Sequence, residues 1–270
     1  VIVFEPNYVS YTENVSILYG TPIILSTIQE DGFYIDLDEL KNAITPKTKA
    51  IILNYPCNPS GATLNKDTLS EIAQLALKHN LIIISDEIYA ALSYENEHVS
   101  IAELENMRER TIYLNGLSKS HAMTGWRIGY VCGPQYLIDI MLKIHQYIAL
   151  CASSIAQIAA VEAIKNGKNS VIAMKQEYKR RRNYIVQRMN DASLTCHMPK
   201  GAFYIFPSIA STGLEGKEFA LKLLESKKVA VVPGAAFGDS CKNYIRCSYA
   251  TSMENLKESM DRIEEFVKQL

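Results

Sequence analysis

Short apolar runs that end abruptly in polar turns limit what this chain can become. Val1 to Phe4, Ile23 to Ser26, Ala50 to Asn54 and Leu81-Ile-Ile-Ile84 are apolar at nearly every position, with no alternation. Such strands bury both faces, as in a parallel sheet covered by helices. Helical spacing fills the intervals: Asp36 to Ala43, and Thr63 to His79 with Leu69, Ile72, Ala73, Ala76 and Leu77 on one face. Asn65 is the expected N-cap of the second helix and Asn80 its stop. Pro6 to Tyr11 should turn and begin another helix, while Thr111 to Leu114 and Ile128 to Val131 add strands. The alternation predicts an α/β fold, a three-layer arrangement around a mainly parallel sheet. Ligands bind such sheets at the carboxyl ends of the strands, so polar residues there are the candidates for function.

After Pro134 the character changes to helices, over Gln135 to Ala149, Ser154 to Asn166 and about Ser170 to Met189. The remainder reads as a compact α+β unit, with strands over Thr195 to Pro207, Val229 to Val232 and Tyr244 to Tyr249, and helices over Lys217 to Ser226 and Met253 to Leu270. The expected organisation is a large α/β domain over 1–170, a bridging helix over 171–190 and a small C-terminal α+β domain over 191–270. The basic run Lys179-Arg-Arg-Arg182 on the bridging helix is expected to be a solvated stripe.

Charge excludes some classes of partner. With 28 Lys+Arg against 29 Asp+Glu the net charge is -1, so no basic field draws nucleic acid or an anionic membrane. No apolar run reaches membrane-spanning length, and Val1 to Pro6 lacks the charged segment and cleavage site of a signal peptide. Six cysteines form no CxxC pair and no Cys/His cluster, which points to a reducing cytoplasm and no metal. Small, neutral or zwitterionic partners fit this composition best.

Five places carry chemistry. Lys119 lies among small residues between two apolar runs, eight positions before Arg127. A lysine near a hydrophobic sheet end and another cation loses basicity and becomes a nucleophilic amine, able to condense with a carbonyl. Arg127, in a glycine-flanked segment, has the planar donors that suit a phosphate. Asp86 and Tyr89 follow the apolar strand ending at Ile84, where a carboxylate either meets a cation or takes up a proton. Asp86 capping a turn is an equal reading. Asn58, in Asn54-Tyr-Pro-Cys-Asn-Pro-Ser-Gly61, is aimed by a proline-stiffened loop or is simply part of a turn. Arg246 sits in the otherwise uncharged Tyr244-Ile-Arg-Cys-Ser-Tyr249 and needs an anion, either a substrate carboxylate or a protein one. The five histidines show no ligand spacing and receive no role.

Taken in order, Pro6-Asn-Tyr-Val-Ser-Tyr11, Asn58-Pro-Ser-Gly61, Ser85-Asp-Glu-Ile-Tyr89, Ser118-Lys119 with Met123-Thr-Gly-Trp-Arg-Ile-Gly-Tyr130, Gly201-Ala-Phe-Tyr-Ile-Phe206 and Arg246-Cys-Ser-Tyr249 resemble the class I/II aminotransferases. These are pyridoxal-phosphate enzymes of fold type I, and the Met123 to Tyr130 segment looks most like the prokaryotic-type aspartate aminotransferase branch. The resemblance implies transfer of an amino group from an aspartate-like or aromatic amino acid to a 2-oxo acid. It implies that Lys119 carries pyridoxal 5′-phosphate and moves the substrate proton, that Asp86 pairs with the ring nitrogen, and that Asn58 and Tyr89 bond the ring oxygen. Tyr8 would stack on the ring, Arg127 and Ser118 would bind the phosphate, and Arg246, with Asn58, would hold the substrate carboxylate. A homodimer is implied for the full-length protein. The chain departs from the pattern at Gly116, where many relatives carry a phosphate-binding serine, leaving Ser118 or Ser120 to compensate. The family's N-terminal arm, first strand, glycine-containing phosphate loop and a tyrosine lent across the dimer are expected to lie outside these residues. A lyase using the same cofactor, an aminotransferase-like sensing domain of a regulator and an inactive truncated fragment are the alternatives.

Overall fold

The structure is a computed structural model describing residues 1–270. In chain order its elements are β1 (Ile2–Glu5), α1 (Ser10–Ile17), β2 (Ile23–Ser26), α2 (Leu37–Ala43), β3 (Ala50–Asn54), α3 (Lys66–Lys78), β4 (Ile82–Asp86), β5 (Thr111–Gly116), α4 (Leu117–Ser120) and β6 (Gly129–Cys132). There follow α5 (Gln135–Ile148), α6 (Ser154–Asn166), α7 (Lys168–Asp191), β7 (Tyr204–Ile205), α8 (Gly216–Lys227), β8 (Val232–Pro233), β9 (Ile245–Ser248) and α9 (Met253–Val267). Asn65 caps α3 by accepting from Thr68 N–H at 2.8 Å, and Asp36 caps α2 by accepting from Asp38 and Glu39 N–H. Asn80 follows α3 with φ 52, a left-handed stop suited to asparagine.

Six strands form one sheet in the order β2-β1-β3-β4-β5-β6. All neighbours are parallel except β5 and β6, which run antiparallel. The apolar runs account for the centre: β3 is buried along its whole length, as a strand with no polar alternation should be. Register then decides where function can sit. Asn54 pairs with Asp86, so β3 and β4 end level, and Asp86 pairs with Leu114, two residues before β5 ends at Gly116. The strand after Leu81 runs two residues further than its apolar run and carries Asp86 as its last member.

Two cores hold the molecule. One joins β1 to β4 with α3 through Ile2, Ile51, Ile72, Ile83 and their neighbours, all fully buried. The other joins α7, α8 and α9 to β9 through Met189, Phe219, Ile245 and Met260. A second, antiparallel sheet of order β7-β9-β8 belongs to this second core.

Three expectations are corrected. Thr195 to Pro207 is not a long strand: only Tyr204–Ile205 pairs. Proline 199 and Gly201 break the run, Ala202 takes φ 59, and Lys200 and Gly201 donate their N–H groups to Gly61 O instead of to a ladder. Val229 to Val232 likewise shrinks to Val232–Pro233, the two residues that pair with Arg246 and Ile245 of β9. The basic run on α7 is no uniform solvated stripe. Arg182 is buried, 2.8 Å from Glu95, donates to Pro199 O at 2.9 Å and lies 4.9 Å over the Tyr94 ring. Arg180 and Arg181 bond Glu177 on the more exposed side of the helix.

Candidate active site

Beyond the level ends of β3 and β4, beside the passage from β5 into α4, a cavity of about 510 Å³ opens. Tyr8, Asn58, Asp86 and Tyr89 line it, and so do Ser118, Lys119, Arg127 and Arg246. All eight sequence candidates therefore meet around one space, brought there from the turn before α1, the loop after β3, the end of β4 and the turn after it, α4, the turn before β6, and β9.

Each is held by a local reason. Asn54, the polar last residue of β3, donates to Asp86 O at 3.3 Å and accepts from Asn58 N–H at 3.2 Å. The loop that follows contains the cis bonds Tyr55–Pro56 and Asn58–Pro59. It closes at Gly61, whose φ of +68 and tight packing against Pro199 leave no place for a side chain. The carbonyl of Gly61 accepts from both Lys200 and Gly201, which ties this loop to the segment bearing Tyr204. Asn58 Oδ1 in turn accepts from Arg246 at 3.0 Å.

Asp86 has no cationic partner. Its carboxylate accepts from the Tyr11 hydroxyl at 2.5 Å and from Ile88 N–H at 3.1 Å. Burial pushes its pKa up, the Tyr11 and Ile88 bonds pull it down, and nearby Glu87 pushes it up again. Tyr89 bonds the Tyr204 hydroxyl at 3.1 Å, and burial drives its phenol far above the usual range.

Lys119 occupies a one-turn helix directly after β5. Its pKa is lowered, first by burial, then by the positive charges of Arg127 and Arg246. Phe203 lies under the ammonium, 5.7 Å from ring centre to nitrogen. Beside it, Thr124 donates its hydroxyl to Ser118 O at 3.0 Å, and Arg127 donates to Thr124 O at 2.9 Å. Arg127 takes φ 52, a left-handed conformation rare outside glycine and common where a site fixes the backbone. Arg246 lies between two rings, 4.4 Å over Tyr204 and 4.8 Å over Phe237, while its buried Nε finds no acceptor.

The absence of a hydroxyl at Gly116 has a packing cause. A Cβ there would lie 3.0 Å from both Gly129 Cα and Ile128 O, because β5 and β6 approach backbone to backbone. Ser120 does not compensate, since it is buried, donates its hydroxyl to Gly116 O at 3.2 Å and shares a hydrogen bond with His121 Nδ1 at 2.8 Å. Ser118 alone of the two lines the cavity.

Tyr11, Asn54, Thr124 and Tyr204 also line the cavity and were not singled out in the sequence. Tyr11 lies in the first turn of α1, and Tyr8 in the turn that leads into that helix, so the two stand close together. Asn54 is the polar residue that ends an apolar strand.

Four charged groups of the cavity stand without partners of opposite charge: Lys119, Asp86, Arg127 and Arg246 enter none of the ion pairs of the chain. A half-buried carboxylate without a cation, an amine of lowered basicity and two guanidiniums outside any ion pair are complementary to a phosphorylated, protonated heteroaromatic aldehyde together with a carboxylate. Pyridoxal 5′-phosphate fits this donor set.

Comparison with known proteins agrees in extent. Residues 1–263 match the family Aminotransferase class I and II. An aspartate aminotransferase from Pyrococcus abyssi is 46% identical over 272 residues, covering 100% of this chain and 70% of that protein. Aromatic-amino-acid aminotransferase 2 from Thermococcus litoralis is 44% identical over 272 residues, again covering 100% of this chain and 70% of that protein. Among solved structures, the aromatic aminotransferase from Pyrococcus horikoshii superposes with a TM-score of 0.96 at 46% identity, over 99% of this chain and 73% of its own.

Proposed function

The chain belongs to the class I and II aminotransferases, and from that premise we propose that the cavity works with pyridoxal 5′-phosphate carried on Lys119. The reaction moves an amino group from an amino acid to a 2-oxo acid. The observation that supports the site assignment most strongly is the set of four unpaired charges around one cavity. When bound, the cofactor supplies an electron sink for the substrate carbanion.

Asp86 holds the protonated ring nitrogen, and Asn58 and Tyr89 donate to the ring oxygen. Arg127, with Ser118, binds the phosphate, and Tyr8 lies against the ring face. Arg246 grips the substrate α-carboxylate with Asn58 beside it, which orients the Cα–H bond. Lys119 Nζ takes the Cα proton and holds it for return; burial and the two arginines favour its neutral form, the form that can accept one. Aspartate-like or aromatic amino acids are the donors, a reading supported by the aspartate and aromatic-amino-acid aminotransferases at 46% and 44% identity.

The same reading includes a large unit over 1–170, a connecting helix over 171–190 and a small unit over 191–270, supported by a second core whose buried members, Tyr94 apart, all lie at or beyond Ile185. It also includes a homodimer. The helix α5 buries none of its residues, and Ile140, Ile144, Tyr147, Ile148, Ile155 and Ile158 leave a broad apolar surface on α5 and α6. No helix is long and apolar enough to cross a membrane. All six cysteines are free, which supports work in a reducing cytoplasm.

The test is spectroscopic. Protein loaded with pyridoxal phosphate should show a visible absorbance that bleaches with an amino donor and returns with a 2-oxo acid. A panel of aspartate, glutamate, tyrosine and alanine that leaves the spectrum unmoved would sink the proposal.

A further inference from the structure

Asp86 is the only carboxylate that lines the cavity, and its one side-chain partner is Tyr11. Tyr11 stands at the start of α1, and its N–H donates to Tyr8 O at 3.1 Å. Its ring meets Tyr8 edge-on, with centroids 5.7 Å apart at 70°, so the aromatic pair fixes where the phenol points. From there the hydroxyl reaches Asp86 Oδ2 at 2.5 Å, while Ile88 N–H occupies Oδ1. Burial and the Asp86 charge hold the Tyr11 pKa well above its usual value, so the phenol keeps its proton and is the donor. A carboxylate this deep, with no cation, tends to take up a proton and become neutral; a donor to the charged form opposes that.

We propose that Tyr11 is a positioning residue that keeps Asp86 ionised and aimed into the cavity, ready to receive a protonated ring nitrogen. This rests on the pyridoxal-phosphate reading above. It separates two roles for the neighbouring tyrosines: Tyr8, before α1, faces the ring, and Tyr11, on α1, acts only through Asp86.

Pyridoxamine 5′-phosphate is the probe, because it cannot condense with Lys119, and its 1-deaza analogue, which lacks the ring nitrogen, is the control. The readout is the ratio of their Kd values, measured by titration calorimetry on the protein at neutral pH. In Tyr11→Phe, which removes only the hydroxyl, the pyridoxamine phosphate should bind about tenfold more weakly or worse, the loss of one bond to a charged acceptor. The Kd of the deaza analogue should hardly move. Equal weakening of both compounds means that Tyr11 merely shapes the pocket, and no weakening means that its hydroxyl is idle; either result overturns the inference. If the phenylalanine variant does not fold, Tyr11→His decides through the same ratio, since it keeps a donor at that place. A ratio near that of the parent protein supports the role, and a collapsed ratio overturns it. Parent protein that binds neither compound overturns the cofactor reading itself, which is distinct from a ratio that fails to change.

Discussion

Arg246 should be nearly dispensable for folding and indispensable for binding a carboxylate, and Arg246→Met separates the two. Its hydrogen bond to Asn58 has a charged donor and contributes about 1.5–3 kcal/mol. Stacking on Tyr204 and Phe237 adds about 0.5–1 kcal/mol each. Against these stand the unmet Nε, which costs about 1–3 kcal/mol, and a share of the desolvation of an unpaired guanidinium. The two sides cancel to within about 2 kcal/mol, so thermal unfolding should shift by less than about 6 °C. Methionine keeps most of the volume between the rings. A substrate carboxylate, in contrast, loses a charge-assisted pair, about 3 kcal/mol or roughly 150-fold in affinity. Thermal unfolding of the cofactor-free protein and steady-state KM for amino donor and 2-oxo acid read the two quantities separately. A loss of more than about 3 kcal/mol in stability with KM unchanged would show that Arg246 is a structural cation, refuting the reasoning.

Further outcomes follow from the same geometry. Gly116→Ser should lose about 1–3 kcal/mol in denaturant unfolding without tightening cofactor binding, since its Cβ would crowd the Gly129 and Ile128 backbone; tighter binding would contradict this. Lys119 has a folded pKa below its ordinary 10.5, so between the two values the unfolded chain holds the extra proton. Stability of the cofactor-free protein should therefore rise with pH across that window, and this contribution should vanish in Lys119→Met; an identical pH profile in the variant counts against a buried, charge-crowded Lys119. Arg182→Ala removes the pair with Glu95, the bond to Pro199 and the stacking on Tyr94, and should cost about 3 kcal/mol by urea unfolding. A loss under about 0.5 kcal/mol would return Arg182 to the solvated class.

The sheet was legible because its strands declare themselves twice, by apolar continuity and by the polar residue that ends each one. Asn54 and Asp86 mark strand ends, and parallel register makes those two ends level. The small antiparallel unit was less so. Thr195 to Pro207 has strand-like composition, yet its N–H groups are taken by the Gly61 carbonyl from 139 residues away in sequence for Lys200, a tie no local pattern displays. Arg182 was read by its neighbours in Lys179-Arg-Arg-Arg182, but helix α7 turns that one residue inward onto Tyr94 while Arg180 stays out. Tyr11 shows the remaining gap. One tyrosine among 16 carries no mark of its partner until β4 places Asp86 beside it.

Reductive trapping addresses the assignment of Lys119 most directly. Protein equilibrated with pyridoxal phosphate, reduced with borohydride and digested, should carry the pyridoxyl mass on the single peptide that contains Lys119, and Lys119→Ala should carry none. A label on another lysine, spread over many, or retained in the alanine variant would contradict the site described for this cavity.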